Sequence, residues 1–252
     1  MLSKNKIKLI TSLSHKKYRD ENGLFIAEGA KLVTDLIPAM HCVSLMSTKL
    51  WLNSNPNPQA DEIIEISELE LRKISTQKTP QGVLALFEKP IYAYKIDDLN
   101  NQLSLALDDI QDPGNLGTII RIADWFGIQN IFCSLHTVDA YGIKAVQSTM
   151  GALARVRVHY VDLADFLKQC SENKIPVYGT FMDGESVYEE KTLSKNGIIA
   201  MGNEGNGIST GIEKYVSKRL LIPSYPQGQV TSESLNVGIA TSLICAEFRR
   251  RL

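Results

Sequence analysis

The 252-residue chain reads as an α/β protein: a parallel sheet covered by helices, preceded by a smaller α/β unit. Three observations predict this. From Leu103 onward, short apolar runs alternate regularly with helical stretches, the pattern of a doubly covered parallel sheet. Ahead of Lys89 the strands and helices form a small unit of their own. The stretch from Pro90 to Asn101 between them reads as a linker. The division falls at residues 1–95 for the small unit and 96–252 for the large one.

In the small unit, Leu2, Ile7, Leu9, Ile10 and Leu13 mark a short helix over 2–13. G-L-F-I-A-E-G (23–29) is a strand and turn, and residues 30–37 are a helix ended by Pro38. Cys42 to Met46 is a strand, and N-S-N-P-N-P (53–58) is a loop, because proline and asparagine disfavour both helix and strand. Ile63–Ile66 and Gly82–Phe87 are strands around a helix at Glu68–Ile74. In the large unit, strands fall at 105–107, 130–134, 155–159, 177–180, 197–201 and 219–223. Helices fall at 116–126, ended by Gly127, and at 142–153, 163–172 and 212–216. A long C-terminal helix starts near Leu235. Ligands of such sheets bind beyond the C-terminal ends of strands, here in the loops after Leu107, Met201 and Ile222.

An apolar fraction of 44% suits a globular protein with a real core. No run of 18 apolar residues exists, so no membrane helix is expected. The N-terminal M-L-S-K-N-K-I-K-L-I-T-S is too polar for a secretory signal. Cys42, Cys133, Cys170 and Cys245 are far apart, which suggests reduced thiols in a cytoplasmic protein and gives no zinc signature. His15, His41, His136 and His159 are equally scattered, so no metal is expected. The net charge is −1, but residues 1–19 carry Lys4, Lys6, Lys8, Lys16, Lys17 and Arg19 with no carboxylate, and Arg249, Arg250 and Arg251 lie at the other end. Such local basic patches contact phosphates, although a solvated lysine-rich helix has the same composition.

Three loops carry candidate chemistry. The first is D-D-I-Q-D-P-G-N-L-G-T-I-I-R (108–121). Pro113 and Gly114 form a turn, Asn115 stands at the expected N-cap, and Ile119, Ala123 and Phe126 form the buried stripe. Arg121 falls off that stripe beside Gly117, which leaves room for a large ligand; a plain Arg121–Asp124 surface pair is the alternative. The second is I-A-M-G-N-E-G-N-G-I-S (199–209). Its glycines fit neither the dinucleotide nor the P-loop pattern, and Glu204 would compete with a phosphate for backbone N–H groups. This loop therefore suits an adenosine-like ligand without phosphates, or a cation, unless it is a simple surface turn. In the third, I-P-S-Y-P-Q-G-Q-V-T-S-E-S-L-N-V (222–237), Ser234 is positioned to cap the last helix, with Asn236 in its first turn.

Taken in order, N-x-G-x-x-x-R (Asn115, Gly117, Arg121), G-x-E (Gly202, Glu204) and I-P followed by S-L-N-V (Ile222, Pro223, Ser234–Val237) resemble the three motifs of the SpoU, or TrmH-type, RNA ribose methyltransferases of the SPOUT superfamily. The resemblance covers residues 103–252. H-K-K-Y-R-D-E-N-G-L-F-I-A-E-G-A-K-L-V near the N-terminus is similar to the substrate-binding domain of the family's rRNA members. The resemblance implies a sheet with a C-terminal trefoil knot, a homodimer, S-adenosylmethionine as cofactor, and methylation of a ribose 2′-hydroxyl in RNA, rRNA first. It implies cofactor contacts around Gly202, Ile222 and Leu235. It implies that Asn115, Arg121, Glu204, Ser234 and Asn236 lie near the chemistry. Two departures stand out: the stretch between Ile222 and Ser234 is longer than usual, and Gly238 replaces a common serine.

Other readings are a tRNA ribose or RNA base methyltransferase of the same superfamily, a non-catalytic RNA-binding protein, and a nucleotide-dependent oxidoreductase. The presence of Arg121, Glu204 and Asn236 weighs against the second, and the missing dinucleotide fingerprint against the third.

Overall fold

The computed structural model describes residues 2–190, 193–226, 232 and 234–250. In chain order its first elements are α1 (Lys4–Ser12), α2 (Lys16–Asn22), β1 (Leu24–Glu28), α3 (Ala30–Leu36), β2 (Cys42–Ser47), α4 (Lys49–Ser54), β3 (Ile63–Glu65), α5 (Glu68–Ile74) and β4 (Val83–Glu88). Then come β5 (Leu103–Leu107), α6 (Pro113–Trp125), β6 (Asn130–Ser134), α7 (Ile143–Thr149), β7 (Arg157–Val161) and α8 (Leu163–Glu172). The last are β8 (Val177–Ser186), β9 (Gly197–Met201), α9 (Thr210–Glu213), β10 (Lys218–Leu221) and α10 (Val237–Arg250). No helix among the described residues is long and apolar enough to cross a membrane.

The chain forms two compact units, Met1–Ile91 with Asp139–Arg155, and Tyr92–Val138 with Val156–Leu252. The first holds a mixed sheet in the order β1-β4-β2-β3, antiparallel except for β2–β3. Its central strand β4 is buried from Val83 to Phe87. Ser67 and Glu70 form a capping box on α5. The Glu70 carboxylate also accepts from the Leu2 N–H at 2.9 Å, and these backbone donors, Ser67 first, hold its pKa down to about 2.

Asp139–Arg155 joins this unit through nonlocal contacts. Ile143 packs on the cluster of Ile10, Leu13, Ile26 and Leu84, and the Tyr141 ring lies 5.1 Å from that of Phe25. Arg19, part of the basic run, is a structural tie: it is buried and donates to the Asp139 carboxylate at 2.9 and 2.8 Å and to the Leu13 and Ser14 carbonyls. The helix expected over 142–153 is broken. It stops at Thr149, Met150 and Gly151 turn left-handed (φ 52° and 92°), and a short 3-10 turn follows. A Cβ at Gly151 would fall 2.5 Å from an Asp35 carboxylate oxygen, so only glycine fits.

The second unit holds six parallel strands in the order β10-β8-β9-β5-β6-β7. The chain leaves β5 toward β6 but leaves β9 toward β10, on the opposite side. The β5–β9 junction is thus a topological switch point, the position beyond which ligands of such sheets bind. α8 matches its expected span, because Asp162 caps it by accepting from the Asp165 N–H at 3.0 Å while Leu163, Phe166, Leu167 and Cys170 form one buried face. β8 runs longer than expected and bulges against β10 between Arg219 and Leu220. His159 is a packing residue: its ring stacks 4.8 Å from Phe132, its Nε2 lies 3.0 Å from Asn130 Oδ1, and burial lowers its pKa.

Candidate active site at the β5–β9 switch point

Each loop at this junction is tied down by its own side chains. Asp112, not Asn115, caps α6: its carboxylate accepts the Asn115 N–H at 2.8 Å, and Pro113 occupies the first turn, where no N–H is needed. Asn115 is thereby freed to point its amide elsewhere. The loop after β9 is a closed turn. Asn203 and Gly207 exchange backbone hydrogen bonds at 2.9 and 3.0 Å, and Asn203 Oδ1 accepts the N–H groups of Gly205 and Asn206 at 2.9 and 3.0 Å. A Cβ at Gly202 would sit 2.1 Å from the Gly207 carbonyl carbon, so this position admits no side chain.

Two further ties join the loops. Asn203 Nδ2 donates to the Asp109 carbonyl at 2.8 Å, and the buried Asp108 accepts the Ser209 N–H at 2.8 Å. Sequence reasoning does not single out Asn203 or Asp108. Their signal is only that short polar residues follow two strands of one sheet end.

On this frame the three motifs meet. Asn115 Nδ2 donates to Glu204 Oε1 at 2.9 Å, and Asn236 Nδ2 donates to Asn115 Oδ1 at 2.9 Å. Asn236 Oδ1 accepts the N–H groups of Gly238 and Ile239 at 2.9 and 3.3 Å, so Asn236, rather than Ser234, caps α10. A glycine at 238 brings α10 close to α6, since a Cβ there would lie 3.2 Å from both Thr118 Cγ2 and Asn236 Oδ1. The chain Glu204–Asn115–Asn236 thus links residues 121 apart in sequence into one polar line. Glu204 is exposed at its head.

The remaining expected residues make no hydrogen bond to this line among the described residues. Arg121 is exposed on α6, with no ion pair or hydrogen bond among the described residues. Gly202 is buried at the foot of the closed turn, Ile222 follows β10 half-buried, and Ser234 and Leu235 are exposed just before α10. Part of the long stretch between Ile222 and Ser234 lies outside the described residues. No group of three or more His, Cys, Asp or Glu among the described residues is placed to hold a metal ion.

The closed turn limits which ligands suit this end of the sheet. Its N–H groups at 203, 205, 206 and 207 are already bonded within the turn, so no free cluster of donors remains for a phosphate. A carboxylate stands beside it instead. Such a loop fits a ligand with an adenosine face and a positive centre, as S-adenosylmethionine has.

The parallel sheet and its three motif-bearing loops are the half of the chain on which the family comparison falls. Residues 102–246 match the model of the SpoU rRNA Methylase family, and residues 4–85 match an MRM3-like substrate binding domain. The chain belongs to the SpoU family. It is 28% identical over 249 residues, 97% of this chain and 96% of the relative, to the 23S rRNA (guanosine(2553)-2′-O)-methyltransferase RlmP of Bacillus subtilis. A TrmH-family protein from Porphyromonas gingivalis superposes on all of both chains with a TM-score of 0.91 and 40% identity. An AdoMet-bound rRNA methyltransferase from Sinorhizobium meliloti gives 0.84 and 28%, covering 100% of this chain and 97% of that one.

Proposed function

We propose that this chain is an S-adenosylmethionine-dependent methyltransferase that modifies a ribose 2′-hydroxyl in RNA, with rRNA as its substrate. The observation that carries the reading is the hydrogen-bonded line Glu204–Asn115–Asn236, which brings three family motifs together beyond one sheet end. The names of the relatives support it, since the Bacillus subtilis protein acts at a guanosine 2′-O of 23S rRNA. The cofactor supplies a methyl group on a sulfonium. The backbone around Gly202, Ile222 and Leu235 holds its adenosine, and Glu204 fixes Asn115. Ser234 and Asn236 border the reacting hydroxyl. Arg121 clamps the RNA phosphate and stabilises the developing alkoxide, as a fixed donor aimed at growing negative charge.

The same reading assigns residues 1–95 to RNA binding and 96–252 to catalysis, in a cytoplasmic homodimer with a knotted C-terminal chain. Trp125 on α6 and Ile239 on α10 are 85% and 55% exposed, and such large apolar side chains suit a subunit interface. The test is the product. A methylated 2′-hydroxyl cannot attack its 3′-phosphate, so RNA treated with protein and cofactor resists alkaline cleavage at one position. A methyl group found on a base, with normal cleavage, overturns the ribose assignment.

A further inference from the structure

The fold sorts the cations of the N-terminal run into two groups. Arg19 and Lys6 serve the protein itself, Arg19 buried against Asp139 and Lys6 paired with Glu62. Lys4, Lys8 and Lys16 are exposed and make no ion pair or hydrogen bond among the described residues. Lys4 and Lys8 lie one turn apart and share a face of α1. Lys17 stands 3.8 Å from Glu21, an exposed pair that a stronger anion displaces easily. The neighbouring acids are engaged elsewhere: Asp20 pairs with Lys89, and Glu62 with Lys6.

Two rings sit among these lysines. His15 and Tyr18 are both exposed at the start of α2 and meet edge to face, with centroids 6.3 Å apart and planes at 70°. Lys17 Nζ lies 5.9 Å from the centre of the Tyr18 ring. The Tyr18 ring is 40% exposed rather than packed into the core below it.

We infer that the α1–α2 ridge is a track for single-stranded RNA. Lys4, Lys8, Lys16 and Lys17 take backbone phosphates, and the Tyr18 ring, braced by His15, stacks on an unpaired base. Cations alone fit any nucleic acid. The exposed ring selects the single strand, because unpaired bases offer a π-face that a duplex keeps inside its own stack. The inference rests on the RNA-methyltransferase reading but uses none of its site residues.

The experiment compares the 252-residue chain with variants, using a labelled single-stranded oligoribonucleotide about 12 nucleotides long, within the usual site size, and its duplex form. Cofactor binding measured on each variant shows that the fold and the other site are intact. The triple variant K4A/K8A/K16A is expected to bind the single strand more weakly. Its log affinity against log salt should be shallower by roughly 0.7 for each phosphate that is no longer neutralised. Tyr18→Ala should weaken binding about fivefold or more with the salt slope unchanged, and Tyr18→Phe should keep wild-type affinity. The exposed Lys73→Ala serves as the control and should change nothing. Wild-type affinity in both the triple variant and Tyr18→Ala overturns the inference, as does duplex binding equal to that of the single strand. A wild-type protein that binds neither RNA form also overturns the inference, whereas the methyltransferase reading fails separately, on the absence of a methylated product.

Discussion

Each unit of this protein holds a glutamate followed by glycine and an arginine with a plain reading as a surface cation, and the fold places the two sets in opposite surroundings. In the first unit Glu28 precedes Gly29. Its buried carboxylate accepts from the Ser75 hydroxyl at 2.5 Å, the Thr76 hydroxyl at 2.7 Å and the Thr76 N–H at 3.0 Å. In the second unit Glu204 precedes Gly205, is exposed, and among the described residues takes one side-chain donor, Asn115. Arg19 is 4% exposed and saturated by a carboxylate and two carbonyls, whereas Arg121 is exposed and unengaged among the described residues. Saturated, buried polar groups hold a fold together, and exposed groups with unused donors or acceptors remain open to a ligand. Residue type and local pattern do not separate the two cases, but burial and donor count do.

The contrast breaks most visibly at the arginines. Arg19→Ala leaves the Asp139 carboxylate buried without its cation, which costs roughly 3–5 kcal/mol and should appear as a large drop in the denaturation midpoint. Arg121→Lys should leave that midpoint alone and reduce methylation by roughly 10² to 10³, the loss typical of one oxyanion donor, with the pH dependence unchanged. A lysine variant that stays active with its rate limb moved to lower pH makes Arg121 a base instead. A near-wild-type rate for Arg121→Ala makes it a surface residue with no part in the reaction.

The glutamates give smaller effects. Glu28→Gln replaces the oxygen that accepts the Ser75 hydroxyl with an NH2 group and should cost about 1–3 kcal/mol of stability, with activity per folded molecule preserved. Glu204→Gln should change stability by less than about 0.5 kcal/mol yet slow methylation about tenfold, because Asn115 loses a charged acceptor. Equal stability losses in these two variants would erase the distinction between them.

The smallest effect is at His41, whose Nδ1 and Nε2 lie 2.9 Å from Glu88 and Asp61. These carboxylates, Glu88 first, raise its pKa above 6.5. Its contribution to stability is therefore fully present below the unfolded value of 6.5 and is lost as pH rises through the higher folded value. Denaturation of the wild type and His41→Asn should differ more at acid pH than at alkaline pH.

Much of the second unit is legible in the sequence because its signals are local. α8 has its cap and apolar face within eleven residues, 162–172, and the all-buried strands β5, β6 and β9 stand out as short apolar runs. Misreadings come from local competition. Asp108, Asp109, Asp112 and Asn115 are all acceptable caps, and only the helix start at Pro113 selects Asp112. The same holds for Ser234 against Asn236. What no local pattern can supply are the long-range ties: Asn203 to Asp109, Asp108 to Ser209, and Arg19 to Asp139 across 120 positions. They depend on which loop ends share a place in the fold. The three motifs are recognisable by order and type, while the bonds that join Asn115 to Glu204 and Asn236 become visible only in three dimensions.

The four cysteines have a practical consequence. Cys42, Cys133, Cys170 and Cys245 are all buried and unpaired. Burial raises the thiol pKa of Cys42 to about 11 and those of Cys170 and Cys245 to about 12, and pushes Cys133 up as well. Alkylating and oxidising reagents attack the thiolate, which is scarce at neutral pH in all four. The native protein should therefore take up maleimide only as it unfolds. A single cysteine placed on the surface, at Thr118 beside the Asn115 line or at Thr11 on α1, would then be the one reactive sulfur of the folded chain. A fluorophore or spin label attached there would report on RNA engagement without removal of any natural cysteine.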